Sequence, residues 1–95
     1  MGASKSFQYP IWVQKRAFIF DALSNAIRLS IVELLHENPG LRARDLAKVL
    51  KVSEPTIQRH IGILADAGIL DKEYELHHYR LHLRRVDVVE LIRQF

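Results

Sequence analysis

The stretch that decides the fold is Asp45–Leu70, DLAKVLKVSEPTIQRHIGILADAGIL. Apolar residues recur in it at helical spacing on both sides of a short break, Lys51–Ser53, and Gly68 supplies a stop for the second helix. Two helices joined by so short a connection cross closely, which is the geometry of a helix-turn-helix. The second helix, expected at about 53–67, then protrudes from the surface of the domain, where it can enter the major groove of DNA.

Further helices and a β-hairpin are predicted around this pair from the period of their apolar residues. The hairpin is expected at about 69–84. The predicted fold class is mainly α with a small β-hairpin, in one domain over 9–95 after a disordered lead-in at 1–8. The predicted elements are helices at 11–23, 25–36, 43–50, 53–67 and 86–95, and strands at 69–72 and 77–84 with a turn near 73–75.

Three helix starts carry local signals. Ser24 and Ser53 are good N-cap residues for the second and fourth helices. Asp87 and Glu90 have the spacing of a capping box at the start of the last helix. These residues set the helix boundaries in the prediction.

Composition excludes several classes of protein. The 95 residues suffice for one domain with a core, and 14 Lys and Arg against 11 Asp and Glu give a net charge of +3, which permits nucleic-acid binding. The absence of cysteine excludes disulfides, thiolate metal sites and cysteine nucleophiles. Because there is neither an apolar run of about 18 residues nor a signal peptide, we expect a cytoplasmic protein without membrane contact. No catalytic set is found, so neither an enzyme nor a cofactor is expected.

Several short stretches carry a family resemblance. They are similar to those of the ArsR-type winged-helix regulators, over about Ala22 to Leu83. The resemblance implies a winged helix-turn-helix fold, with the hairpin at about 69–84 as a wing on the DNA backbone or in the minor groove. It also implies a dimeric repressor or activator whose recognition helix and β-wing grip DNA. The stretches are ALSNAIRL at Ala22–Leu29, DLA at Asp45–Ala47, VSEPTIQRHI at Val52–Ile61, Leu64, AGIL at Ala67–Leu70 and YRL at Tyr79–Leu81.

The chain also departs from that family. Metal sensors of the family often carry Cys-x-Cys at the start of the first helix of the helix-turn-helix, where this chain has Arg42 and Arg44. The family's other common metal site uses His and acidic residues on the last helix, which here has no histidine. Metal sensing is therefore not expected. The glycine of the helix-turn-helix is replaced by Lys51, and a left-handed backbone there would cost about 1 kcal/mol.

The outward side of the second helix carries candidate base readers. Arg59 can fork onto guanine O6 and N7 or bind phosphate, and Gln58 can pair with adenine. Thr56 can reach phosphate or a thymine methyl, whereas Asp66 would repel phosphate, so contacts are expected in the N-terminal half. The outward residues, opposite an inward stripe of Ile57, Ile61 and Leu64 and with Gln58 on the flank, are Pro55, Thr56, Arg59, Gly62, Ile63 and Asp66.

Basic residues around the helix-turn-helix and on the wing are candidates for phosphate contact, which positions a protein without reading sequence. The wing offers a ribbon of Lys, Arg and His, but it is mixed in sign because Asp71, Glu73 and Glu75 lie beside them. The DNA-binding candidates are Arg42, Arg44, Lys51, Ser53, Pro55, Thr56, Gln58, Arg59, Lys72, His78 and Arg80.

The histidines do not predict a metal site. His78 and His82 share one face of a strand but lie roughly 13 Å apart along it, too far for one ion. His60 flanks the buried stripe and is expected to be a satisfied, semi-buried residue.

The two ends of the chain predict a homodimer. The first helix is apolar nearly all round and the last helix has an apolar stripe, so both need a partner surface unless they fold back onto their own domain. Packing them across a twofold axis would set two recognition helices about one DNA turn, ~34 Å, apart. The candidate interface residues are Ile11, Trp12, Phe18, Ile19, Val88, Leu91, Ile92 and Phe95.

These observations predict a sequence-specific, homodimeric transcriptional regulator whose partner is double-stranded DNA. One alternative stays open, a winged helix used for protein–protein contact in a transcription or replication assembly. The exposed Arg59 favours DNA.

Overall fold

The computed structural model describes residues 8–95, and its elements follow the predicted order. Within that range there are five helices and one two-stranded antiparallel sheet. Most of the expected lead-in, residues 1–7, lies outside the described part of the chain, and Gln8 is exposed and in no helix. The elements are α1 (Ile11–Leu23), α2 (Ala26–Glu37), α3 (Ala43–Leu50), α4 (Glu54–Asp66), β1 (Leu70–Tyr74), β2 (Tyr79–Leu83) and α5 (Asp87–Arg93).

The core is built around α2, which packs against the four other helices and against β2. Ile31 and Val32 on its inner face expose none of their surface. The predicted stripe of α4, Ile57, Ile61 and Leu64, is confirmed as fully buried. Removing side chains of this size from water stabilises the fold by about 1.5–3 kcal/mol each, so these contacts fix which side of α4 faces inward.

The start of α2 corrects one predicted cap. Asn25 and not Ser24 occupies the N-cap, and its side chain accepts hydrogen bonds from the Ile27 and Arg28 N–H groups at 2.9 and 3.1 Å. Ser24 instead ends α1, where its hydroxyl donates to the Asp21 carbonyl at 2.7 Å. Both residue types cap helices well, and α1 reaching Leu23 leaves Ser24 to the preceding helix.

The predicted capping box of the last helix is wrong. Val86 holds the N-cap position without a side-chain hydrogen bond, and Asp87 is already helical. The Asp87 carboxylate pairs instead with Arg85 at 2.7 Å, because an arginine two residues earlier offers it two donors. A carboxylate does support the start of α3, where Asp45 accepts from the Arg42 N–H at 2.9 Å.

The first strand of the hairpin extends two residues further toward the tip than predicted, whereas the second begins at Tyr79 and not at residue 77. Tyr74 lies opposite Tyr79, and their rings meet edge to face with centroids 5.7 Å apart. The turn is closed by the Glu75 N–H donating to the His78 carbonyl at 2.7 Å, and does not lie near 73–75 as predicted. The tyrosine pair adds to the ladder, because aromatic cross-strand pairs stabilise a sheet.

The hairpin is fixed to the helices through the loop between α2 and α3. The Leu81 N–H donates to the Leu41 carbonyl, and the Gly40 N–H donates to the Leu81 carbonyl, both at 2.9 Å. Leu81 is fully buried. The wing is therefore held at a set position beside the helix-turn-helix.

Most of α1 stands away from the core. Only Ala22 and Leu23 at its C-terminal end are buried, while Ile11, Trp12 and Phe18 expose half or more of their surface. In the part of the chain that the structure describes, no helix combines the length and apolar character needed to cross a membrane.

Lys51, which replaces the glycine of the helix-turn-helix, adopts a left-handed conformation with φ 56° and ψ 45°. Replacing it with glycine should relieve about 1 kcal/mol of strain and raise the Tm by roughly 4–8 °C in thermal unfolding. Lys51→Ala is the matched control, since it removes the same charge but keeps the Cβ. A Tm for Lys51→Gly no higher than that of Lys51→Ala would contradict the strain.

Candidate nucleic-acid interface

The outward face of α4 is available to a partner. Arg59 and Gln58 are exposed, as are Pro55 and Asp66, which confirms that the surface around Arg59 projects away from the core. A side chain built at Gly62 would meet no atom within 4 Å, so packing inside the domain does not require glycine there. Its lack of a side chain lowers the surface in the middle of this face, where another molecule's backbone can approach.

The start of α4 has the predicted N-cap residue, but the side chain of that residue does not cap the helix. Ser53 holds the N-cap position, but its hydroxyl donates to the Thr56 hydroxyl at 2.9 Å and makes no capping bond. Helix first-turn N–H groups have no partner within their own helix, and such groups favour anions. Glu54 at the first helical position is exposed and opposes that preference.

Cations surround the helix-turn-helix. Arg44, Lys48 and Lys51 are exposed on α3 and its C-terminal cap. Arg42 is half-buried, and its Nε is buried without a hydrogen-bond partner in the described part of the chain. The exposed three offer positive charge near the outward face of α4.

The cations at the wing tip are engaged within the wing. Glu75 accepts from Arg80 at 3.1 Å and pairs with His78 at 2.5 Å, and the bond from Arg80 lowers the pKa of this carboxyl. Arg80 also donates to the Gly40 carbonyl at 3.1 Å. His82 pairs with Glu73 at 3.0 Å. The predicted basic ribbon is thus partly neutralised by its own acidic residues.

The wing contacts α4 through a side-chain hydrogen bond. The Tyr79 hydroxyl donates to the Gln58 side-chain oxygen, and the Lys72 ammonium lies over the Tyr79 ring, 5.0 Å from its centroid. Gln58, predicted as a free adenine reader, is therefore already engaged. Strand alternation placed Tyr79 on the inner face of the hairpin, and no sequence signal indicated this contact.

These elements enclose an open cleft of about 340 Å³ between the start of α3, the start of α4 and the wing tip. The structure brings four of the predicted DNA-binding residues to it from three separate segments, whereas Arg80 reaches back toward Gly40. The lining includes Arg42, Arg44, Glu54, Gln58, His77 and His78.

The buried side of α4 carries one polar residue, His60, which exposes 6% of its surface. Its Nδ1 lies 3.0 Å from Arg28 Nη1, which confirms the expectation of a satisfied, semi-buried histidine. Burial, together with the charges of Arg28 and Arg59, holds the pKa of the imidazole below its usual 6.5. Arg28 had no role in the sequence prediction beyond its place in the family resemblance.

Over residues 8–95, no three His, Cys, Asp or Glu side chains are arranged to hold a metal ion. His78 and His82, the pair with the most suggestive spacing, each bind a different glutamate.

The predicted dimer residues lie on α1 and on or just after α5. Ile11, Trp12 and Phe18 are exposed and Phe95 is fully exposed, whereas Ile19, Leu91 and Ile92 are half-buried. Val88 is a correction, because it exposes 2% of its surface and packs into its own core. Tyr9 and Phe20, exposed by 61% and 55%, belong to the same ends of the chain and were not predicted.

Residues 23–73 match the family described as Helix-turn-helix domain. The chain is 39% identical over 62 residues to an HTH-type transcriptional regulator of Methanocaldococcus jannaschii, covering 65% of this chain and 70% of that protein. It is 40% identical over 65 residues to the arsenical resistance operon repressor of Escherichia coli K12, covering 66% of this chain and 56% of the repressor. The matched stretch thus spans little more than half of the repressor's length.

The fold is similar to a solved homodimeric winged helix-turn-helix DNA-binding domain from Mycobacterium bovis, described as a possible ArsR-family transcriptional regulator. The TM-score is 0.78 at 20% identity, over 94% of this chain and 84% of that one. The predicted winged helix-turn-helix fold is confirmed.

His60 gives a pH dependence of stability with a defined sign. Because its folded pKa lies below the usual 6.5, the unfolded chain takes up a proton first as the pH falls. The free energy of unfolding should therefore decline below about pH 6.5, by at most about 1.4 kcal/mol per pH unit. His60→Asn, which keeps an acceptor but does not titrate, should lack this component in chemical denaturation at about pH 7.5 and 5.5. Equal pH slopes for the two proteins would contradict the assignment.

Proposed function

The chain belongs to the helix-turn-helix domain family, and on that premise we propose that it is an ArsR-type winged-helix regulator that binds specific duplex DNA as a homodimer. It is a transcriptional regulator and not an enzyme. In the proposed complex, α4 enters the major groove and the wing lies along the backbone or the minor groove. The exposed Arg59 on the outward face of α4 is the observation that carries the proposal.

The base-reading part of the surface is small. Arg59 is the exposed cation of the outward face and has the bidentate donors that guanine O6 and N7 accept. Thr56 and Pro55 flank it toward the helix start and suit a phosphate or a thymine methyl. Gln58 joins the readout only if its bond with Tyr79 is exchanged for a base. We therefore assign the main sequence discrimination to Arg59.

In the proposed complex, the cations of α3 and its C-terminal cap contact the DNA phosphates and so position the protein on the duplex. Arg44 and Lys51 are exposed beside α4 and are free of the carboxylates that engage the wing tip. Arg42, Ser53 and Lys72 complete the proposed backbone contacts at the cleft and along the wing. His78 and Arg80 contribute less than their charge suggests, because Glu75 binds both.

Dimerisation is proposed through the apolar face of α1 and α5. Trp12 exposes 56% and Phe18 50% of their surface on a helix of which only the C-terminal end is buried. A monomer in water rarely keeps so many large apolar side chains together on one surface. A twofold axis through this face would cover both helices and present two copies of α4 to a near-palindromic site.

Arg59→Ala should weaken binding to the best duplex site by about 1–3 kcal/mol and relax the base preference at one position. The measurement is a titration of labelled duplexes recovered by selection from a random pool. Arg93→Ala is the matched control, since it also removes an arginine, but one that pairs with Glu33 and Glu37 of α2. Unchanged affinity for the best site would remove Arg59 from the recognition surface.

The same titrations over a range of salt concentrations separate DNA binding from the protein-binding alternative. Arg44→Ala and Lys51→Ala should each weaken all duplexes equally and lower the salt slope by about 1, because each removes one phosphate contact. If the native protein shows no salt-dependent retention on duplex DNA, protein–protein contact becomes the favoured function.

Phe18→Glu should convert the dimer into a monomer, because it places a charge in the proposed apolar interface. Sedimentation at micromolar concentration reports the change from twice the 11.0 kDa chain mass to that mass. Val49→Glu is the control, since Val49 exposes 57% of its surface on α3, outside the proposed interface. A native protein that sediments as a single 11 kDa species would refute the dimer.

A further inference from the structure

One polar contact joins α1, the proposed dimer helix, to the recognition helix α4. The Arg28 guanidinium, in the first turn of α2, has its Nη1 3.0 Å from His60 Nδ1. Its Nε donates to the Ala22 carbonyl at 2.6 Å, and its Nη2 donates to the Asp21 carbonyl at 3.4 Å. A single rigid, planar group thus bonds to the end of α1 and to the inner side of α4.

The bond to Ala22 satisfies a carbonyl that α1 cannot satisfy itself, because the last four carbonyls of a helix have no partner within it and Ala22 lies in the last turn. The Asp21 carbonyl also accepts from the Ser24 N–H and hydroxyl, so the longer bond from Arg28 adds to a group that already has partners. Elsewhere α1 is held by the buried Ala22 and Leu23 and by the half-buried Ile19. Since the rest of α1 stands away from the core, this last turn sets the direction in which the helix leaves the domain.

The bond to α4 requires one form of His60. Arginine only donates hydrogen bonds, so Nδ1 must accept and the ring must be neutral. His60 lies directly after Arg59 in α4, and one residue advances a helix by about 100°, so the outward reader and the inward contact are neighbours on the same turn. The contact therefore ties the end of α1 to the turn of α4 that carries Arg59, while the buried Ile57 and Ile61 keep α4 itself in place, so loss of the contact should change the direction of α1 and not the position of Arg59.

We propose that Arg28 and His60 are positioning residues that set the direction of α1 relative to α4, and through it the separation of the two recognition helices in the dimer. The proposal rests on the homodimeric DNA binding proposed above. It assigns a role in spacing preference to two residues that do not themselves touch DNA.

Three variants test the contact. His60→Leu removes the acceptor, and Arg28→Lys keeps the charge but cannot donate to three groups in one plane. His60→Asn places a carbonyl oxygen near the position of Nδ1 and should restore the bond. Thermal unfolding identifies any variant that fails to fold. If His60→Leu does not fold, Arg28→Lys and His60→Asn still test the proposal.

The first measurement compares duplexes that carry two half-sites at varied separation with a duplex that carries one. His60→Leu and Arg28→Lys should lose about tenfold in affinity for the best two-site duplex and show a flattened dependence on separation. Their affinity for the single half-site should stay within about twofold of the native protein, and His60→Asn should bind like the native protein. An unchanged spacing preference, or an equal loss on the single half-site, would overturn the proposal.

The second measurement depends on neither DNA nor dimerisation. Because the chain has no cysteine, spin labels can be placed at Lys15→Cys on α1 and Asp66→Cys on α4. Dilution with unlabelled protein restricts the measured distances to one chain. The distance distribution should broaden or shift in His60→Leu and Arg28→Lys and return in His60→Asn, whereas an unchanged distribution would overturn the proposal. If the native protein did not dimerise or bind DNA, the proposed function would be refuted. The distance between the labels on α1 and α4 would still show whether the Arg28–His60 contact sets the direction of α1.

Discussion

The burial of three apolar side chains on one side of α4 is the constraint on which the rest of the structure depends. Ile57, Ile61 and Leu64 are sealed against the core, and helical geometry then leaves Arg59 no direction but outward. The energy that orients the recognition surface thus comes from the opposite side of the helix. This separation lets the outward residues carry functional side chains without a packing cost.

Charge is distributed unevenly between the helix-turn-helix and the wing. The exposed cations of α3 and its cap stand without the carboxylates that bind the wing histidines and Arg80. Exposed ion pairs of this kind add little stability, but they remove net charge from the wing surface. The hairpin is positioned by its backbone bonds to Gly40 and Leu41 and by the Tyr79–Gln58 contact. Its place beside α4 therefore does not depend on DNA.

Sequence periodicity predicted the elements and the two sides of α4, because both follow from which residues repeat at 3.6 or 2 positions. It did not predict the choice between two adjacent residues that are equally good helix caps. Asn25 caps α2, although Ser24 was predicted to do so. It also missed contacts between segments distant along the chain. Nothing near Tyr79 indicated Gln58 as its partner, and nothing near Arg28 indicated His60. Such pairs are set by the way that separate elements pack.

The choice of histidine on the buried side of α4 has a physical reason. Arg28 presents donors to the end of α1 and to α4, and an apolar residue at position 60 would leave one partly buried donor without a partner. A carboxylate would bond more strongly but would place its own charge on the buried side of α4, at a desolvation cost that the bond need not recover. A neutral imidazole accepts one bond and adds no charge. The imidazole accepts one hydrogen bond from Arg28, and the other donors of Arg28 remain bonded to the carbonyls of α1. Histidine at position 60 is therefore compatible both with the core and with the contact between α1 and α4.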